Sequence, residues 1–108
     1  MKLPVAVIIL TLNEEFNLPA CLASVKDWAD EIFVVDSLSA DDTEQVSKSY
    51  GAKFIQRQFE NQARQFNWAL ANLPISSPWI LRLDADERMT RELSNEISLV
   101  LPRVKPAV

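Results

Sequence analysis

Four apolar, β-prone runs alternate with four helical patterns along this chain, and the alternation restricts its fold more than any other feature. Strands that alternate with helices pair in parallel through right-handed crossovers. The first run consists almost entirely of Val, Ile, Leu and Ala, which is typical of a strand covered on both faces. The sequence therefore predicts an α/β fold with an open, mostly parallel, Rossmann-like sheet and helices on both faces. The predicted strands are Val5–Leu12, Glu31–Asp36, Lys53–Gln56 and Trp79–Leu83.

Capping residues and apolar stripes place the four helices. The first is predicted over Leu18–Asp27, with Asn17 as its N-terminal cap. The second begins near Asp42, which forms a capping box with Gln45, and it ends before Gly51. The third covers 61–72 and the fourth runs from about 90 to 102, and their inward-facing residues are predicted to be Phe66, Leu70, Leu73, Leu93, Ile97, Val100 and Leu101.

The length and charge of the chain limit its organisation and its partners. With 108 residues and no internal boundary, residues 1–108 are predicted to form one domain. The net charge is -4 and no Lys/Arg-rich tract is present, which argues against a nucleic-acid partner. The segment Pro102–Val108 has the composition of a frayed end or a linker.

The cysteine and histidine content indicates the cellular compartment and excludes several types of catalytic chemistry. Cys21 is the single cysteine, so no intrachain disulfide can form, which predicts a reducing compartment. The absence of histidine excludes Ser-His-Asp and Cys-His nucleophiles and His-ligated zinc. The run Val5–Leu12 is far shorter than the roughly 20 residues that cross a bilayer. We therefore expect a cytoplasmic protein, and the sequence leaves a peripheral membrane contact and a homodimer open.

Polar side chains collect where the predicted strands end. In an open parallel sheet, ligands bind outside the carboxyl ends of the strands. Acidic, amide or hydroxyl groups follow three of the four strands, whereas solvated charge alone would scatter over both edges. We therefore expect a ligand site formed by Thr11, Asn13, Glu14, Asp36, Asp84 and Asp86.

The sequence also shows how a phosphate would be held at this edge. Neither G-x-G-x-x-G nor G-x-x-x-x-G-K-[ST] follows the first strand, so a backbone cradle for phosphate is missing. A phosphate among carboxylates needs a bridging cation, and Mg²⁺ or Mn²⁺ prefers oxygen ligands. Asp84 and Asp86 are two residues apart and would point to the same side of an extended chain. A solvated turn whose acids favour the dipole of the next helix is the competing interpretation.

Other conspicuous residues have structural interpretations as well. Arg64 and Asn67 are three positions apart on the third predicted helix, which suits an exposed face as well as a phosphate contact. The three tryptophans, Trp28, Trp68 and Trp79, are predicted to pack in the core rather than to stack on a sugar.

Four segments, in this order along the chain, carry a resemblance to a known family. They are the strand and loop Val7–Glu15, the segment Val34–Ser37 with Ser39, Asp41 and Thr43, the helix start Gln62–Asn67, and the D-x-D segment Leu83–Glu87. Together they resemble the opening strand, nucleotide-recognition segment, helix start and D-x-D motif of the family 2 glycosyltransferases, which have the GT-A fold. The resemblance covers nearly the whole chain, and the subgroup that adds sugars to the core of bacterial lipopolysaccharide looks most similar.

The resemblance implies an activity and a role for each matching residue. The implied reaction transfers a sugar from a nucleoside-diphosphate sugar, usually a UDP-sugar, to a hydroxyl of a glycan or glycolipid acceptor, with inversion and a divalent cation. By this resemblance, Thr11, Asn13 and Glu14 would line the nucleoside pocket, Asp36 would bind the base, Arg64 would lie near the diphosphate, Asp84 would contact ribose or the metal site, and Asp86 would ligate Mg²⁺ or Mn²⁺.

The sequence departs from the family pattern in two respects. Leu38 and Asp42 stand where family members often have glycine, which predicts a stiffer loop after the second strand. The acceptor lobe and catalytic base of the family normally follow the D-x-D segment by many residues. The chain is therefore expected to be a fragment of a longer enzyme that binds donor weakly and transfers little, and no catalytic base is assigned. A non-catalytic nucleotide-binding module and a nucleotidyltransferase of related fold remain as alternatives.

Overall fold

The computed structural model describes residues 2–100, in which four strands alternate with four helices. This order is the predicted one. The side chain of Val100, Leu101 and the predicted tail Pro102–Val108 lie outside the described residues. The elements are β1 (Leu3–Thr11), α1 (Leu18–Val25), β2 (Ala29–Asp36), α2 (Thr43–Ser49), β3 (Lys53–Gln56), α3 (Gln62–Asn72), β4 (Trp79–Asp84) and α4 (Arg91–Val100).

The four strands form one sheet in the order β3-β2-β1-β4, and every pair is parallel. The strand β1 lies at the centre, with Thr11 beside Asp36 of β2 and Leu10 beside Asp84 of β4. The carboxyl ends of these three strands therefore reach the same edge of the sheet. This arrangement confirms the predicted open parallel α/β sheet, and it brings the polar residues that follow β1, β2 and β4 together.

Helices cover both faces of the sheet. On one face, Val7 and Ile9 of β1 pack with Leu22 of α1 in a cluster that α2 and α4 also join. On the other face, Ile8 packs with Ala69 of α3. Successive residues of a strand point to opposite faces, so an uninterrupted apolar strand fills both clusters. Trp28, Trp68 and Trp79 lie against these clusters, which confirms their predicted packing role.

Two predicted helix caps are wrong. Asn17 has helical backbone angles (φ -87°, ψ -33°) and Asp42 has φ -86° and ψ 21°, and neither side chain caps its helix. A capping residue normally has extended backbone angles that aim its side chain at the helix end. At α2 the neighbouring Asp41 supplies the cap instead, because its Oδ1 accepts the backbone N–H of Thr43 at 3.0 Å. The predicted end of α2 is confirmed, since Gly51 follows it in the left-handed region (φ 78°).

The predicted inward stripes of α3 and α4 are wrong at two positions. Leu70 and Leu93 are exposed, whereas Phe66, Leu73 and Ile97 pack against the core as predicted. The fully buried residues of α3 are Gln65 and Ala69, one turn apart. A glutamine thus holds an inward position that an apolar pattern cannot reveal. Among residues 2–100, no helix is long and apolar enough to span a bilayer.

Candidate functional site

An open cavity of about 350 Å³ lies at the carboxyl edge of the sheet, where β1, β2 and β4 end. It contains four of the residues that the sequence predicts for the site, namely Thr11, Glu14, Asp84 and Asp86. Asn13, Asp36 and Arg64 are not among its lining residues. The complete lining is Leu10, Thr11, Leu12, Glu14, Ser37, Phe59, Gln62, Asp84, Ala85 and Asp86.

Asp36 lies beneath the cavity and is fully buried. Its Oδ1 accepts the hydroxyl of Thr11 at 2.6 Å and also the hydroxyl of Ser39. Its Oδ2 accepts the backbone N–H of Ser39 at 2.7 Å and the Gln56 amide at 3.1 Å. Four donors from the chain thus converge on the two carboxyl oxygens of Asp36 and fill their acceptor positions. This carboxylate therefore fixes the ends of β1, β2 and β3 relative to one another.

The loops after β1 and β2 are bound to each other near the cavity. Asn13 accepts the backbone N–H of Ala40 on Oδ1 at 2.8 Å, and its own N–H donates to Ser39 Oγ at 2.7 Å. Asn13 has a positive φ of 53°, a conformation that asparagine tolerates better than most residues. Leu38 also has a positive φ, 64°, which leucine adopts at a cost. The side chain of Asn13 therefore holds the loops in place.

Asp41 strengthens the same connection between the loops. Its Oδ2 accepts the backbone N–H of Glu15 at 3.2 Å, while Glu14 N donates to Thr43 Oγ1 at 3.0 Å. Burial alone would raise the pKa of Asp41, but hydrogen bonds from Thr43 and Glu15 outweigh burial and lower the pKa below its ordinary value. The carboxylate is therefore ionised at neutral pH, which makes these hydrogen bonds charge-assisted.

The segment after β4 forms a tight turn, so the extended geometry that would point Asp84 and Asp86 to the same side does not occur. Glu87 N donates to Asp84 O at 2.9 Å, and Asp84 N donates to Glu87 Oε1 at 2.8 Å. Glu87 closes the turn with its backbone and its carboxylate together. Asp84 and Asp86 nevertheless both line the cavity. Within residues 2–100, no hydrogen bond or ion pair engages either of their carboxylates.

The donors at the tip of β4 fit a divalent cation that a ligand helps to hold. Among the described residues, no group of three or more His, Cys, Asp or Glu side chains forms a preformed metal site. Mg²⁺ is commonly bound by one or two carboxylates together with the phosphates of a substrate. Asp84 and Asp86 supply such carboxylates beside open space. The donor set therefore fits Mg²⁺ or Mn²⁺ completed by a phosphate ligand.

Cys21 lies under this turn and is fully buried in α1. Its thiol donates to Asp84 O, with a distance of 3.7 Å between the two atoms. Burial, with a smaller contribution from the carboxylates of Glu87 and Asp86, raises the pKa of Cys21 to about 11. The thiol is therefore protonated at neutral pH and supports the turn as a hydrogen-bond donor.

Arg64 is exposed on α3 and is held by an acidic neighbour. Its Nη1 lies 2.9 Å from Glu60 Oε2, and Glu60 Oε1 lies 3.1 Å from Arg57 Nη2. One carboxylate thus binds two guanidinium groups in the segment that joins β3 to α3. Arg64 does not line the cavity, and its Nη1 is engaged by Glu60.

Three contributors to the site were not recognised from the sequence. Phe59 presents an aromatic ring to the cavity from the segment between β3 and α3. Gln62 lines the cavity and accepts Arg82 Nη2 at 3.1 Å. Gln65 lies behind the wall and contacts Ser37. A lone aromatic residue in a polar segment could have revealed Phe59, whereas the two glutamines resemble any others on a helix.

The fold and the cavity define a class of protein, the Rossmann-like α/β domains that bind ligands at the carboxyl edge of a parallel sheet. A family model then identifies the chain more closely, because residues 6–97 match the model for glycosyl transferase family 2. The chain belongs to this family, as its sequence resemblance implies.

The relatives of this chain are longer proteins. It is 35% identical over 96 residues to an uncharacterised glycosyltransferase of Rickettsia typhi, covering 89% of this chain and 32% of that protein. It is 37% identical over 97 residues to LpsC of Rhizobium meliloti, a lipopolysaccharide core biosynthesis glycosyltransferase, covering 85% of this chain and 35% of that protein. The chain thus spans about a third of the length of these relatives.

Solved structures of glycosyltransferases share the fold. TarS of S. aureus superposes with a TM-score of 0.71 at 24% identity, covering 95% of this chain and 33% of that one. Glucosyl-3-phosphoglycerate synthase from Mycobacterium tuberculosis, in complex with Mn²⁺, UDP and glucosyl-3-phosphoglycerate, gives 0.67 at 22% identity and covers 79% and 35% of the two chains. These likenesses confirm the predicted GT-A fold.

Proposed function

We propose that the protein transfers a sugar from a nucleoside-diphosphate sugar, with UDP as the nucleotide, to an acceptor hydroxyl with inversion and with the help of a divalent cation. One observation carries the proposal: Asp84 and Asp86, whose carboxylates accept no hydrogen bond from residues 2–100, border a cavity that Thr11 and Ser37 also line. Family membership and the UDP and Mn²⁺ bound by the mycobacterial synthase support it.

The proposed roles divide the cavity between the nucleoside and the diphosphate. Asp86 and Asp84 would hold Mg²⁺ or Mn²⁺, which when bound offsets the negative charge that grows on the leaving diphosphate. Thr11 and Glu14 line the cavity and would contact the nucleoside. Because β1 separates β2 from β4, the nucleoside would lie toward β2 and the diphosphate toward the tip of β4.

The remaining predicted residues would act less directly. Asp36 would shape the nucleoside side by holding Thr11 and Ser39, since its own acceptor positions are filled. Asn13 would act by holding the loop of Ala40. Arg64 would contact the diphosphate once it exchanges Glu60 for a phosphate. A direct contact between Asp36 and the base would require one of its present donors to leave.

We further propose a place for the reaction in the synthesis of cell-envelope polysaccharide or lipopolysaccharide, with a glycan or glycolipid as acceptor. The 37% identity to the lipopolysaccharide core glycosyltransferase LpsC supports this assignment. The single cysteine, which permits no intrachain disulfide, supports a cytoplasmic reaction, with the acceptor presented at the inner face of the membrane. A homodimer is a separate hypothesis, and measurement of the molecular mass in solution tests it.

A titration with UDP tests the function. We expect UDP to bind in the presence of Mn²⁺ and to bind at least about tenfold more weakly with EDTA or after Asp86→Asn, because the bridge between carboxylate and diphosphate is lost. Glu92→Gln is the matched control, since it removes one charge from the exposed first turn of α4, outside the cavity. Isothermal titration calorimetry measures all four cases. UDP affinity that is independent of both Mn²⁺ and Asp86 would contradict the proposal.

A further inference from the structure

Gln65 is a polar side chain that is fully buried on α3, behind the wall of the cavity. A buried amide is retained at little cost only when its oxygen and nitrogen both find partners. Gln65 finds them on two other segments. Its side chain reaches Arg57, which follows β3, and Ser37, which follows β2 and lines the cavity.

The chemistry of its neighbours fixes the orientation of the Gln65 amide. Arg57 Nη1 lies 3.2 Å from Gln65 Oε1, and a guanidinium group can only donate hydrogen bonds. The amide oxygen must therefore face Arg57. The amide nitrogen then faces two acceptors, the carbonyl oxygen of Arg57 and Ser37 Oγ, each at 3.4 Å.

This orientation also determines what Ser37 can do. Its oxygen accepts a hydrogen bond from Gln65, so the hydroxyl proton must be directed elsewhere. Among residues 2–100, no acceptor receives that proton in a hydrogen bond. Ser37 borders the cavity, so the proton is available to a ligand there.

We propose that Gln65 is a positioning residue that keeps the Ser37 hydroxyl as a hydrogen-bond donor toward a carbonyl oxygen of the nucleotide base. The inference rests on the proposed function, which supplies the nucleotide. Strand order supports the geometry, because Ser37 follows β2 on one side of β1 while the carboxylates for the cation lie beyond the other side. A diphosphate at the tip of β4 leaves the base to occupy the side of Ser37.

The substitution Gln65→Glu replaces the amide donor that faces Ser37 with a carboxylate acceptor and changes the shape of the side chain very little. The introduced carboxylate pairs with Arg57 and accepts the Ser37 proton, so that only lone pairs of the hydroxyl face the cavity. We expect the Kd of UDP with Mn²⁺ to rise about tenfold. The hydrogen bond from Ser37 to the base is lost, and the Ser37 oxygen then faces the carbonyl oxygen of the base, so that two acceptors oppose each other. The melting temperature should fall, because the introduced carboxylate is buried and one of its oxygens faces the carbonyl oxygen of Arg57. Gln45→Glu is the matched control, since it makes the same charge change on an exposed position of α2 and should leave the Kd unchanged.

A double-mutant cycle separates positioning from general support of the fold. Ser37→Ala should weaken UDP binding about as much as Gln65→Glu, and the double variant should be no weaker than Ser37→Ala alone. Losses that add, or an unchanged Kd in either Gln65→Glu or Ser37→Ala, overturn the inference. If Gln65→Glu fails to fold, an unchanged Kd in Ser37→Ala still overturns the inference. Absence of UDP binding by the unsubstituted chain overturns the proposed function and the inference that rests on it.

Discussion

Aspartates at one edge of the sheet have two different environments. Asp36 and Asp41 accept hydrogen bonds from hydroxyl and backbone groups of neighbouring segments, so they hold the loops together. Asp84 and Asp86 border the cavity, and no hydrogen bond within the described chain occupies their carboxylates. Carboxylates without protein partners remain available to a cation. The site thus combines Asp84 and Asp86, whose carboxylates face the cavity, with Asp36 and Asp41, whose carboxylates hold the surrounding loops in place.

Leu38 gives a test at the residue scale. It is 56% exposed and has a φ of 64°, so its backbone strain is not offset by burial. Leu38→Gly should raise the free energy of unfolding by about 0.5–1 kcal/mol, because relief of the left-handed strain exceeds the entropy cost of glycine. Urea denaturation measures the change.

The control for this substitution is another leucine of similar exposure. Leu12 is 52% exposed, and it is not among the residues with positive φ. Leu12→Gly should therefore lower the free energy of unfolding, since glycine there adds chain entropy to the unfolded state without relieving strain. Equal destabilisation by both substitutions would show that Leu38 is not strained.

Cys21 gives a second residue-scale prediction. Because its pKa is raised to about 11, mainly by burial, the folded protein should hold almost no thiolate at pH 8. Alkylation of the folded chain by iodoacetamide at pH 8 should be far slower than alkylation of the chain unfolded in about 6 M guanidinium, where the thiol regains its usual acidity. Equally rapid alkylation in both conditions would contradict the buried position of Cys21.

At the scale of elements, hydrogen bonds at the opposite edge of the sheet tie the segment before β4 to β2. Glu31 accepts the backbone N–H groups of Ser76 at 3.0 Å and Ser77 at 2.8 Å, as well as the Ser77 hydroxyl at 2.7 Å. Burial alone would raise the pKa of Glu31, but these hydrogen bonds outweigh it and lower the pKa. The start of β4 is therefore held by a carboxylate that must be ionised.

This carboxylate predicts a dependence of stability on pH. A lowered pKa in the folded state stabilises the protein fully above the ordinary value near 4.5, and the stabilisation is lost as the pH falls through the lowered value. Glu31→Gln should lower the urea midpoint at pH 7, and its difference from the unsubstituted chain should shrink at about pH 3. A difference that is independent of pH would contradict an ionised Glu31.

The elements themselves could largely be predicted from the sequence, and their contacts could not. The apolar run of β1 predicts a central strand, because continuous Val, Ile and Leu content is typical of a strand covered on both faces. The cap of α2 was assigned to Asp42 rather than Asp41, because adjacent aspartates differ only in backbone angles that a sequence does not show. Gln65 was missed for a related reason, since its partners Arg57 and Ser37 are 8 and 28 residues away.

At the scale of the whole molecule, the nucleotide side of the proposed site lies at the carboxyl edge of the sheet, where β1, β2 and β4 end. The chain spans about a third of the length of its relatives. We therefore expect weak donor binding and little or no transfer by residues 1–108 alone. Binding rather than turnover is the appropriate measurement for this chain.

Paramagnetic broadening by Mn²⁺ tests the central claim most directly, which is that a cation joins a diphosphate to the tip of β4. In nitrogen-15 spectra of the chain, Mn²⁺ with UDP should broaden the backbone signals of Asp84, Ala85 and Asp86 first and those of Thr11 and Ser37 next. Mn²⁺ alone should have a much smaller effect, because the described residues provide no preformed metal site. Broadening that centres on another surface, or that is the same without UDP, would contradict the account.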